Sequence, residues 1–557
     1  SFQSAWTSIQ PFLRLENLDV LYFGLSVLAL AIMGTFLAFK EQRAGFLTGI
    51  VIFLGTTLTA YKILMKLPFS GILWMERFVS VALVFVLISF LQWKRLKPWL
   101  TGVICILLAV DIIPSLQFIW SPREEWVEDA QQEIENDAHR LLLDEAKAVT
   151  KQRIAVLDLS AYTAFAPYYL AGEQPQIMCT FGAAWQSAHT ASNVVMLNTA
   201  VSEGYYDYLF DRCVELGNDT VYVLESAMKN GRLDMEQLKA AAERQGYQYV
   251  TDNGIDAIFH REIEESFGTV TSYEGIAIGT SAQSIALRYP VFQETTDANL
   301  SHYSLEELSA YKKIYLSGFT YDNKKEAEEM VRELAERGCE IYVDMGTIPA
   351  EKSGLSSFLG CETATVMLEN YYPELQYQGG VYQTGKFPTE NSQWNTVYLV
   401  NPKKADGTAV YNNQELCFSA TAENENIHLL GFNLVYYGAS TADAETGIFL
   451  DEYFGMDAGT LPKRELVPLE ITYSADGIVI QTEQDNVNTG LAYLDSFATN
   501  QKAEEENNLL IVGKGTTEIR FTYPYFMEGI LLSIAGAVIL ACGAVWMLRE
   551  PKDCSSQ

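Results

Sequence analysis

Residues 312–346 read KKIYLSGFTYDNKKEAEEMVRELAERGCEIYVDMG and decide the fold of the central part of this chain. An apolar run at 313–316 has the length of a buried strand, and the charged segment 323–338 repeats apolar residues with the period of one helix face. Gly338 ends this helix, and a second apolar run, EIYVD, follows it. A strand, a helix and a strand in this order favour parallel pairing, so we predict a flavodoxin-like α/β domain over residues 272–456.

The segments on both sides of this domain have patterns of their own. Residues 152–264 alternate strand-like runs (RIAVLDLS, DTVYVLES and YQYV) with helical runs that stop at Gly217 and Gly246, which predicts another α/β domain. Residues 465–523 read as short alternating strands, and the Asp-Gly pair at 476–477 supplies the turn of a hairpin. This last segment is predicted to form a small β-sandwich-like module.

Apolar segments at both ends of the chain indicate a membrane protein. A helix needs about 20 residues to cross a bilayer core, and five apolar segments reach that length. They lie at about Val20–Phe39, Ala44–Leu64, Ile72–Trp93, Pro98–Phe118 and Phe526–Leu548. We therefore predict a membrane all-α bundle, with four transmembrane helices in residues 1–119, an amphipathic connector helix at 120–151 and a terminal transmembrane helix at 524–549.

Basic residues set the predicted orientation of these helices. Lys40 with Arg43, the cluster at 94–97, and Arg549 with Lys552 fall on one side of the membrane if the helices alternate, and the positive-inside rule makes that side cytoplasmic. The large domain is then extracytoplasmic, which predicts a multi-pass protein of the bacterial plasma membrane. The chain starts with Ser on the outer side, so we expect it to be the C-terminal portion of a longer protein.

Composition argues against several classes of function. The formal net charge of −32 at pH 7 repels polyanions, so nucleic acid is not an expected partner. The five histidines show none of the HxH, HExxH or HxxxH spacings, and neither a Walker loop nor GxGxxG occurs, so no metal or other cofactor is expected. The eight cysteines include no CxxC pair, and a disulfide between Cys339 and Cys361 is left open.

An amidotransferase-like active site is one possibility for the flavodoxin-like segment. Such a site needs a nucleophile on the tight turn that follows a central strand. The strand at 340–344 instead ends in Asp344, Met345 and Gly346, and no GxSxG motif occurs in the chain. The sequence therefore predicts a sheet without a nucleophile, used for structure or glycan contact, and leaves the catalytic residues unknown.

Candidate site residues lie at the predicted membrane rim. The stretch KLPFSGILWMERFVS places Trp74, Glu76 and Arg77 near the outer interface, where an arginine can form a bidentate contact with a lipid phosphate. Arg14 is predicted to line the same groove. The alternative is that these residues only anchor the protein at the interface.

Further candidates are ionisable residues in unusual places. Asp111 falls inside an apolar helix, where a carboxylate is costly and often faces a cavity, although it lies near the outer end where water has access. In the first α/β domain, Asp211 and Arg212 are adjacent and are not expected to share a helix face. Asn218 and Asp219 fall in the turn before a strand. The alternative for these four is a helix end and a turn.

Three stretches carry a resemblance to a known family. The run YLFDRCVELGNDTVYVLES at 208–226, followed by LKAAAERQGYQYV at 238–250, resembles the 6-pyruvoyl-tetrahydropterin synthase-related family of bacterial membrane proteins. The stretch LPFSGILWMERF at 67–78 is similar to that family's aromatic loop, and Arg77 matches the loop arginine. The closing β module resembles the outer domains of GT-C-type membrane glycosyltransferases. The resemblance implies no pterin chemistry, because the zinc-binding histidines of a pterin synthase have no counterpart here.

Two functions are compatible with this resemblance. In the first, the chain is part of a GT-C-like envelope protein that transfers sugar from a polyprenyl phosphate, or acts in surface polysaccharide biosynthesis. In the alternative, it is a non-catalytic, membrane-anchored scaffold or glycan-binding protein for polysaccharide assembly or export. The expected partners are the lipid bilayer and an envelope glycan. Aromatic residues that would stack on sugar, unless they belong to the core, are Tyr168, Tyr169, Trp185, Tyr205 and Tyr206.

Overall fold

A computed structural model gives the architecture of the chain. It describes residues 23–57, 60, 63–64, 66, 78–93, 97–120, 137–157, 166, 169–172, 177–180, 188–224, 234–254, 256–350, 356–388, 392–474, 477–522 and 525–548. The chain folds as two compact units, Ser1–Asp129 and Ala130–Gln557.

The N-terminal unit is helical in its described part. Its helices are α1 (Leu25–Leu37), α2 (Lys40–Gly55), α3 (Val79–Leu91) and α4 (Pro98–Trp120). Glycines allow close approach: a Cβ added at Gly49 of α2 would lie 2.6 Å from Cγ2 of Val86 and 3.0 Å from the carbonyl oxygen of Ala82, both on α3. A larger residue at this position would push the two helices apart.

The predicted bundle of five membrane-spanning helices is wrong for the residues that the structure describes. None of the helices there combines the length and the apolar composition that a membrane span requires. Helices α1, α2 and α3 have 13, 16 and 13 residues, short of the roughly 20 that cross a bilayer core. The first two predicted spans are interrupted because α1 stops at Leu37 and α2 stops at Gly55.

The C-terminal unit begins with a small mixed sheet, the first α/β domain. Its strands lie in the order β2-β1-β3-β5-β4; β2, β1 and β3 are parallel, and β5 is antiparallel to β3 and β4. The predicted connector helix appears in the described residues as α5. The elements are α5 (Asp137–Val149), β1 (Arg153–Leu157), β2 (Met178–Cys179), α6 (Ala191–Glu203), α7 (Tyr206–Glu215), β3 (Thr220–Val223), α8 (Met235–Arg244), β4 (Gln248–Asp252) and β5 (Ala257–His260).

The flavodoxin-like domain follows. Its parallel strands, numbered by their order in the chain, lie in the order 2-1-3-4-5, which is the order of doubly wound flavodoxin-like sheets. The elements of this parallel part are β7 (Gly275–Ile278), α9 (Ser284–Arg288), β8 (Phe292–Glu294), a 3₁₀ turn (Leu300–His302), α10 (Leu305–Leu308), β9 (Lys313–Leu316), α11 (Lys324–Glu336), β10 (Glu340–Asp344), β18 (Ile427–Leu430), α12 (Leu434–Thr441) and α13 (Ala444–Phe454).

An antiparallel extension, formed by the chain between β10 and β18, continues the sheet beyond β18. It contains β11 (Ser357–Phe358), β12 (Cys361–Glu369), β13 (Leu375–Tyr377), β14 (Gly380–Tyr382), β15 (Gln393–Val400), β16 (Lys404–Tyr411) and β17 (Gln414–Thr421). Alternate side chains of the parallel strands enter two different cores. Ile314 and Leu316 pack with α11 on one face, while Tyr315 packs with α12 and α13 on the other. The question of a Cys339–Cys361 disulfide is also answered here, because both residues are free thiols.

The carboxyl edge of the parallel strands is where open α/β sheets usually bind ligands, at the point where strand order reverses. Here the loops after β7 and β9 bond to each other: the backbone N–H groups of Thr280 and Ser281 donate to the carbonyl oxygens of Gly318 and Ser317, each over 3.1 Å. A glycine at position 279 allows the loops to come this close, because its φ is +122° and a Cβ there would lie 2.2 Å from the oxygen of Ser317. The usual ligand crevice is therefore filled by backbone.

Asp344 lies next to this closed crevice and is 4% exposed. Its carboxylate accepts hydrogen bonds from the Ser317 hydroxyl, over 2.7 Å, and from the Gly346 N–H, over 2.9 Å. Burial outweighs these bonds and raises the pKa of Asp344 to about 6. The side chain closes the turn after β10, at the position where an amidotransferase-like site would need its nucleophile.

The β module closes the C-terminal unit with two antiparallel sheets. One has the order β19-β6-β22-β25-β24 and the other β20-β21-β26-β23. β20 and β21 pair antiparallel as the predicted hairpin requires, with Ser474 opposite Gly477, and Asp476 of the predicted turn lies outside the described residues. The strands are β6 (Phe267–Ser272), β19 (Lys463–Pro468), β20 (Glu470–Ser474), β21 (Gly477–Thr482), β22 (Val487–Ala492), β23 (Phe497–Thr499), β24 (Ala503–Glu506), β25 (Leu509–Val512) and β26 (Gly515–Phe521), and helix α14 (Phe526–Leu548) follows.

A buried group of charges joins these three parts, and we call it the Arg212–Arg464 cluster. Its members are two arginines and three acidic residues, each at most 4% exposed: Arg212, Arg464, Asp211, Glu215 and Glu294. Arg212 Nε lies 3.0 Å from Glu294 Oε2 of β8, and Arg464 Nη2 of β19 lies 2.7 Å from Asp211 Oδ2 of α7. The cluster thus ties the first α/β domain to the flavodoxin-like domain and to the β module.

Charges within the cluster shift each other's pKa. Burial alone would raise the pKa of Glu215, but Arg212 and Arg464 lower it below its ordinary value. Tyr273 adds a hydrogen bond to Glu215, over 2.6 Å. Burial raises the pKa of Glu294 despite the adjacent Arg212.

Substitution of Arg464 by Met should lower the free energy of unfolding by about 3–5 kcal/mol, because it leaves Asp211 buried with one arginine partner fewer. Urea unfolding of the full chain, followed by tryptophan fluorescence, measures this loss. The matched control is Arg244→Met, which removes an ion pair with Asp207 in which the arginine is 51% exposed. That pair should contribute no more than about 1 kcal/mol. Equal losses in the two variants would contradict the role of the cluster.

Asp344 should make stability depend on pH. Its pKa in the folded chain lies near 6, above its ordinary value of 3.8, so the protonated form is favoured by folding. This contribution is fully present below about pH 4 and is lost as pH rises through about 6, a change of about 3 kcal/mol. The stability of Asp344→Asn relative to the unmodified chain should therefore increase as pH rises from 4.5 to 7. Urea unfolding of both proteins at these two pH values measures the difference. Parallel pH curves would refute this assignment.

Candidate functional site

A cleft of about 350 Å³ lies between the first α/β domain and the flavodoxin-like domain, and we call it the junction cleft. Its size falls within the usual range of small-molecule sites, which are common at domain junctions. Its walls are formed by Glu203, Gly204, Tyr205, Tyr206, Asp207, Asp234, Gln237, Leu287, Arg288, Ala442, Ala458 and Gly459.

Helix ends position the acidic wall of the cleft. Helix α6 ends at Glu203, and Gly204 reverses the chain with a φ of +81° so that α7 can start at Tyr206. Asp207 lies in the first turn of α7. Asp234 is the N-cap of α8, and its carboxylate accepts the backbone N–H of Gln237 over 3.1 Å. Three helix ends therefore bring carboxylates and an amide to one wall.

The opposite wall belongs to the flavodoxin-like domain and is held by Arg288. Its guanidinium forms a bidentate pair with Asp451, with Nε and Nη2 at 2.8 and 2.6 Å from the two carboxylate oxygens. Burial would lower the pKa of Arg288, but the bonds to Asp451 raise it above its ordinary value. The carbonyl oxygen of Arg288 accepts the N–H of Gly459 over 2.8 Å, which fixes the loop at the cleft floor.

Two contacts join the walls. The Tyr205 hydroxyl donates to the carbonyl oxygen of Gly438 on α12 over 2.6 Å. Gly459 faces Asp207 so closely that an added Cβ would lie 2.5 Å from the aspartate Oδ2, and its φ is +72°. A glycine at this position lets the loop approach α7 and still leaves the carboxylate in the cleft.

The side chains that line the cleft can donate and accept hydrogen bonds. Carboxylates of Glu203, Asp207 and Asp234 accept hydrogen bonds, and Gln237 both donates and accepts. Arg288 is paired with Asp451, and Asp207 is paired with Arg244, so the lining carries more acidic than basic side chains. The carboxylates and phenols of the lining can hold a polar ligand, and side chains of both kinds also serve in acid–base and nucleophilic chemistry. The described residues do not contain a group of three or more His, Cys, Asp or Glu suited to a metal ion.

The candidates Asp211 and Arg212, predicted from the sequence, do not line this cleft. Asp211 and Arg212 belong to the Arg212–Arg464 cluster, and Arg212 Nη1 lies 3.3 Å from Asp211 Oδ2 although the two residues are adjacent on α7. The long arginine side chain reaches back to its neighbour, which the face rule for helices does not anticipate. They hold α7 in place, while Asp207, one turn earlier, lines the cleft.

Asn218 and Asp219 lie at another turn and are fully buried. Asp219 accepts backbone N–H groups of Lys151 and Arg153 over 2.6 and 2.8 Å, and Asn218 accepts the hydroxyl of Thr180. Burial raises the pKa of Asp219 despite these bonds. The two residues fasten the start of β1 and are not part of the cleft lining.

Asp111 has a structural contact within the N-terminal unit. Its Oδ2 accepts the backbone N–H of Ser26 over 2.9 Å and also the Ser26 hydroxyl. Ser26 lies in the first turn of α1, so the carboxylate of α4 caps that helix from outside its own chain segment. Trp74, Glu76, Arg77 and Arg14 lie outside the described residues, and their proposed contact with lipid phosphate stays a prediction.

Among the aromatic candidates, Tyr205 and Tyr206 line the cleft, whereas Tyr169 is buried and donates its hydroxyl to Asp144. Tyr168 and Trp185 lie outside the described residues. Sequence reasoning missed Glu203, Asp234 and Arg288, which have ordinary positions at helix ends and become neighbours only through the fold. The N-cap pattern at Asp234 was the one local signal available.

Comparisons with known proteins cover the chain in three segments. Residues 2–119 match the 6-pyruvoyl-tetrahydropterin synthase related domain, described as a membrane protein. Residues 138–272 and 274–437 match two families described only as domains of unknown function. The resemblance to the synthase-related family is thereby confirmed for the N-terminal segment, which includes 67–78, but not for 208–250. The similarity to GT-C enzymes is not supported.

Comparison with individual proteins gives little further information on the family of this chain. No curated protein matches the sequence. A similar solved structure is alpha-L-fucosidase isoenzyme 2 from Paenibacillus thiaminolyticus, with 8% identity and a TM-score of 0.27 over 65% of this chain and 70% of that chain. A likeness at this level supports no conclusion on fold or function. The N-terminal segment of the chain therefore carries a domain of the 6-pyruvoyl-tetrahydropterin synthase-related membrane protein family.

Proposed function

We propose that this chain is a bacterial cell-envelope membrane protein whose C-terminal unit binds carbohydrate in the junction cleft. The single observation that supports this function is the cleft itself, with its volume of about 350 Å³ and its lining of carboxylates, an amide and phenols. A short saccharide offers many hydroxyl donors, and the lining offers mostly acceptors.

The protonation of the cleft fits a neutral ligand. Burial raises the pKa of the Tyr206 hydroxyl, so this group stays protonated at physiological pH. The lining already pairs its arginine with Asp451, and the chain as a whole carries a net charge of −32. An anionic sugar would meet this negative potential without a free cation, so a neutral saccharide is the better ligand.

Membrane attachment in this proposal rests on the family match of residues 2–119. A location of the C-terminal unit outside the cytoplasm is part of the proposal. Transfer of sugar from a polyprenyl phosphate would depend on the rim residues around Arg77. Of the two functions, we propose saccharide binding in the assembly or export of an envelope polysaccharide, and the junction cleft is the feature that supports it.

Saccharide binding in the cleft can be tested with a substitution that fills the cleft. Ala458→Trp places an indole in the lining and should weaken binding of a neutral trisaccharide at least about tenfold. Isothermal titration of the full chain with maltotriose, cellotriose and chitotriose, in a detergent without a sugar headgroup, measures the affinity. Ala405→Trp is the matched control, because Ala405 is exposed on β16 and does not line the cleft.

The result that supports the proposal is binding of at least one trisaccharide that Ala458→Trp weakens and Ala405→Trp leaves unchanged. If none of the three binds, or if the two tryptophan variants bind alike, the junction cleft is not a saccharide site.

A further inference from the structure

Three aromatic rings form a stack that starts in the core of the flavodoxin-like domain and ends at its surface. The ring centroids of Phe387 and Trp394 are 5.3 Å apart at an interplanar angle of 13°, and those of Trp394 and Tyr436 are 6.1 Å apart at 27°. Phe387 is 4% exposed, whereas Tyr436 is 54% exposed. The outer ring therefore faces solvent while its inner neighbours are packed.

Hydrogen bonds fix the middle of this stack. The indole N–H of Trp394 donates to Asn433 Oδ1 over 2.8 Å, and the Tyr372 hydroxyl donates to the same oxygen over 2.7 Å. The backbone N–H of Asn433 donates to the Thr396 hydroxyl over 3.1 Å. Tyr437 packs edge-on against Trp394, with centroids 5.8 Å apart. The indole is thus held in one orientation before any ligand arrives, which lowers the entropy cost of binding.

The stack lies near the carboxyl end of β18. Asn433 follows this strand and precedes α12, and Tyr436 lies in the first turn of α12. Open α/β sheets bind ligands beyond the carboxyl ends of their strands. The crevice between the loops after β7 and β9 is closed by backbone, so a ligand at this edge has to use a different position along it.

We propose that the Phe387–Trp394–Tyr436 stack is a second carbohydrate-binding surface, on which the apolar face of a pyranose ring packs against the exposed ring of Tyr436, with Trp394 and Phe387 supporting that ring from behind. The three residues of the stack do not line the junction cleft, so either site can exist without the other. Because the chain is strongly acidic, the ligand is an oligosaccharide without uronate or phosphate groups.

The surroundings favour a sugar over a protein partner. A pyranose has a flat face of C–H groups with hydroxyls around its rim, and it needs a fixed ring of similar size with polar groups nearby. Three of the four exposed residues next to the stack in sequence are polar, Lys386, Gln393 and Asn395, and the fourth is Pro388. Protein-docking patches present several hundred Å² of contiguous apolar surface, whereas this surface consists of two partly exposed rings.

The test is isothermal titration of the full chain with maltohexaose, cellohexaose and chitohexaose in a detergent without a sugar headgroup, since a maltoside would compete. Tyr436→Ala should weaken the binding of at least one hexasaccharide about tenfold. Tyr436→Trp should retain it, because a larger ring preserves the stacking face. Tyr436→Gln is a second loss variant that keeps a good helix former on α12.

The matched control is Tyr371→Ala, which removes another exposed tyrosine, 47% exposed, that lies outside the stack. Binding that is weakened by Tyr436→Ala and Tyr436→Gln, but kept in Tyr371→Ala and in the cleft variant Ala458→Trp, supports the stack as an independent site. Absence of binding by all three hexasaccharides overturns it. Binding that Ala458→Trp abolishes and both Tyr436 loss variants leave unchanged assigns the ligand to the cleft alone and also overturns the stack.

Discussion

The arrangement of the C-terminal unit depends on the ion pairs around Arg212 and Arg464. Two guanidinium groups lie among three carboxylates at a point where α7, β8 and β19 meet. Buried ion pairs often add little net stability, because the desolvation of each charge offsets the attraction. The ion pairs instead determine how the three parts are arranged. Any arrangement that separates these charges would leave some of them buried without partners, which is unfavourable.

The junction cleft inherits its shape from this constraint. Asp207 and Asp211 lie one turn apart on the same face of α7, so the ion pairs that hold Asp211 also help to fix the position of the Asp207 carboxylate. The Tyr205 hydroxyl, just before α7, donates a hydrogen bond to α12 of the flavodoxin-like domain. The walls of the cleft are therefore supported by buried polar bonds, and its binding groups lie on helix ends and not on long loops.

Local patterns predicted the centre of the fold well. The segment 323–338 forms a helix at Lys324–Glu336, and the apolar runs beside it form β9 and β10, which pair in parallel. Amphipathic spacing and Gly338, with a φ of +95°, are local signals that suffice for this. The same kind of signal misled at the N-terminus, because average hydropathy does not show where α1 and α2 stop.

Long-range partners were beyond the reach of the sequence. Asp211 and Arg464 are 253 positions apart, and no periodicity connects them. The pairing of β12 with β15, the pairing of β13 with β16 and the entry of β6 into the β module also depend on residues far apart in sequence. The cleft residues Glu203, Asp234 and Arg288 come from three helix ends, and only the tertiary arrangement shows that they face one another.

The pairing of β6 with β19 has a consequence for how the chain is made. Lys463 pairs with Ser272, about 190 residues earlier, so the flavodoxin-like domain is an insertion between two strands of one sheet. At a synthesis rate of about 5–20 residues per second, β6 waits roughly 10–40 s for its neighbour. During that time the strand has an unpaired edge, and a chaperone or an already folded insertion has to shield it from other nascent chains. A fragment that begins at β19 would lack β6, the strand that lies between β19 and β22 in the sheet. A fragment for expression should therefore include the strands on both sides of the insertion.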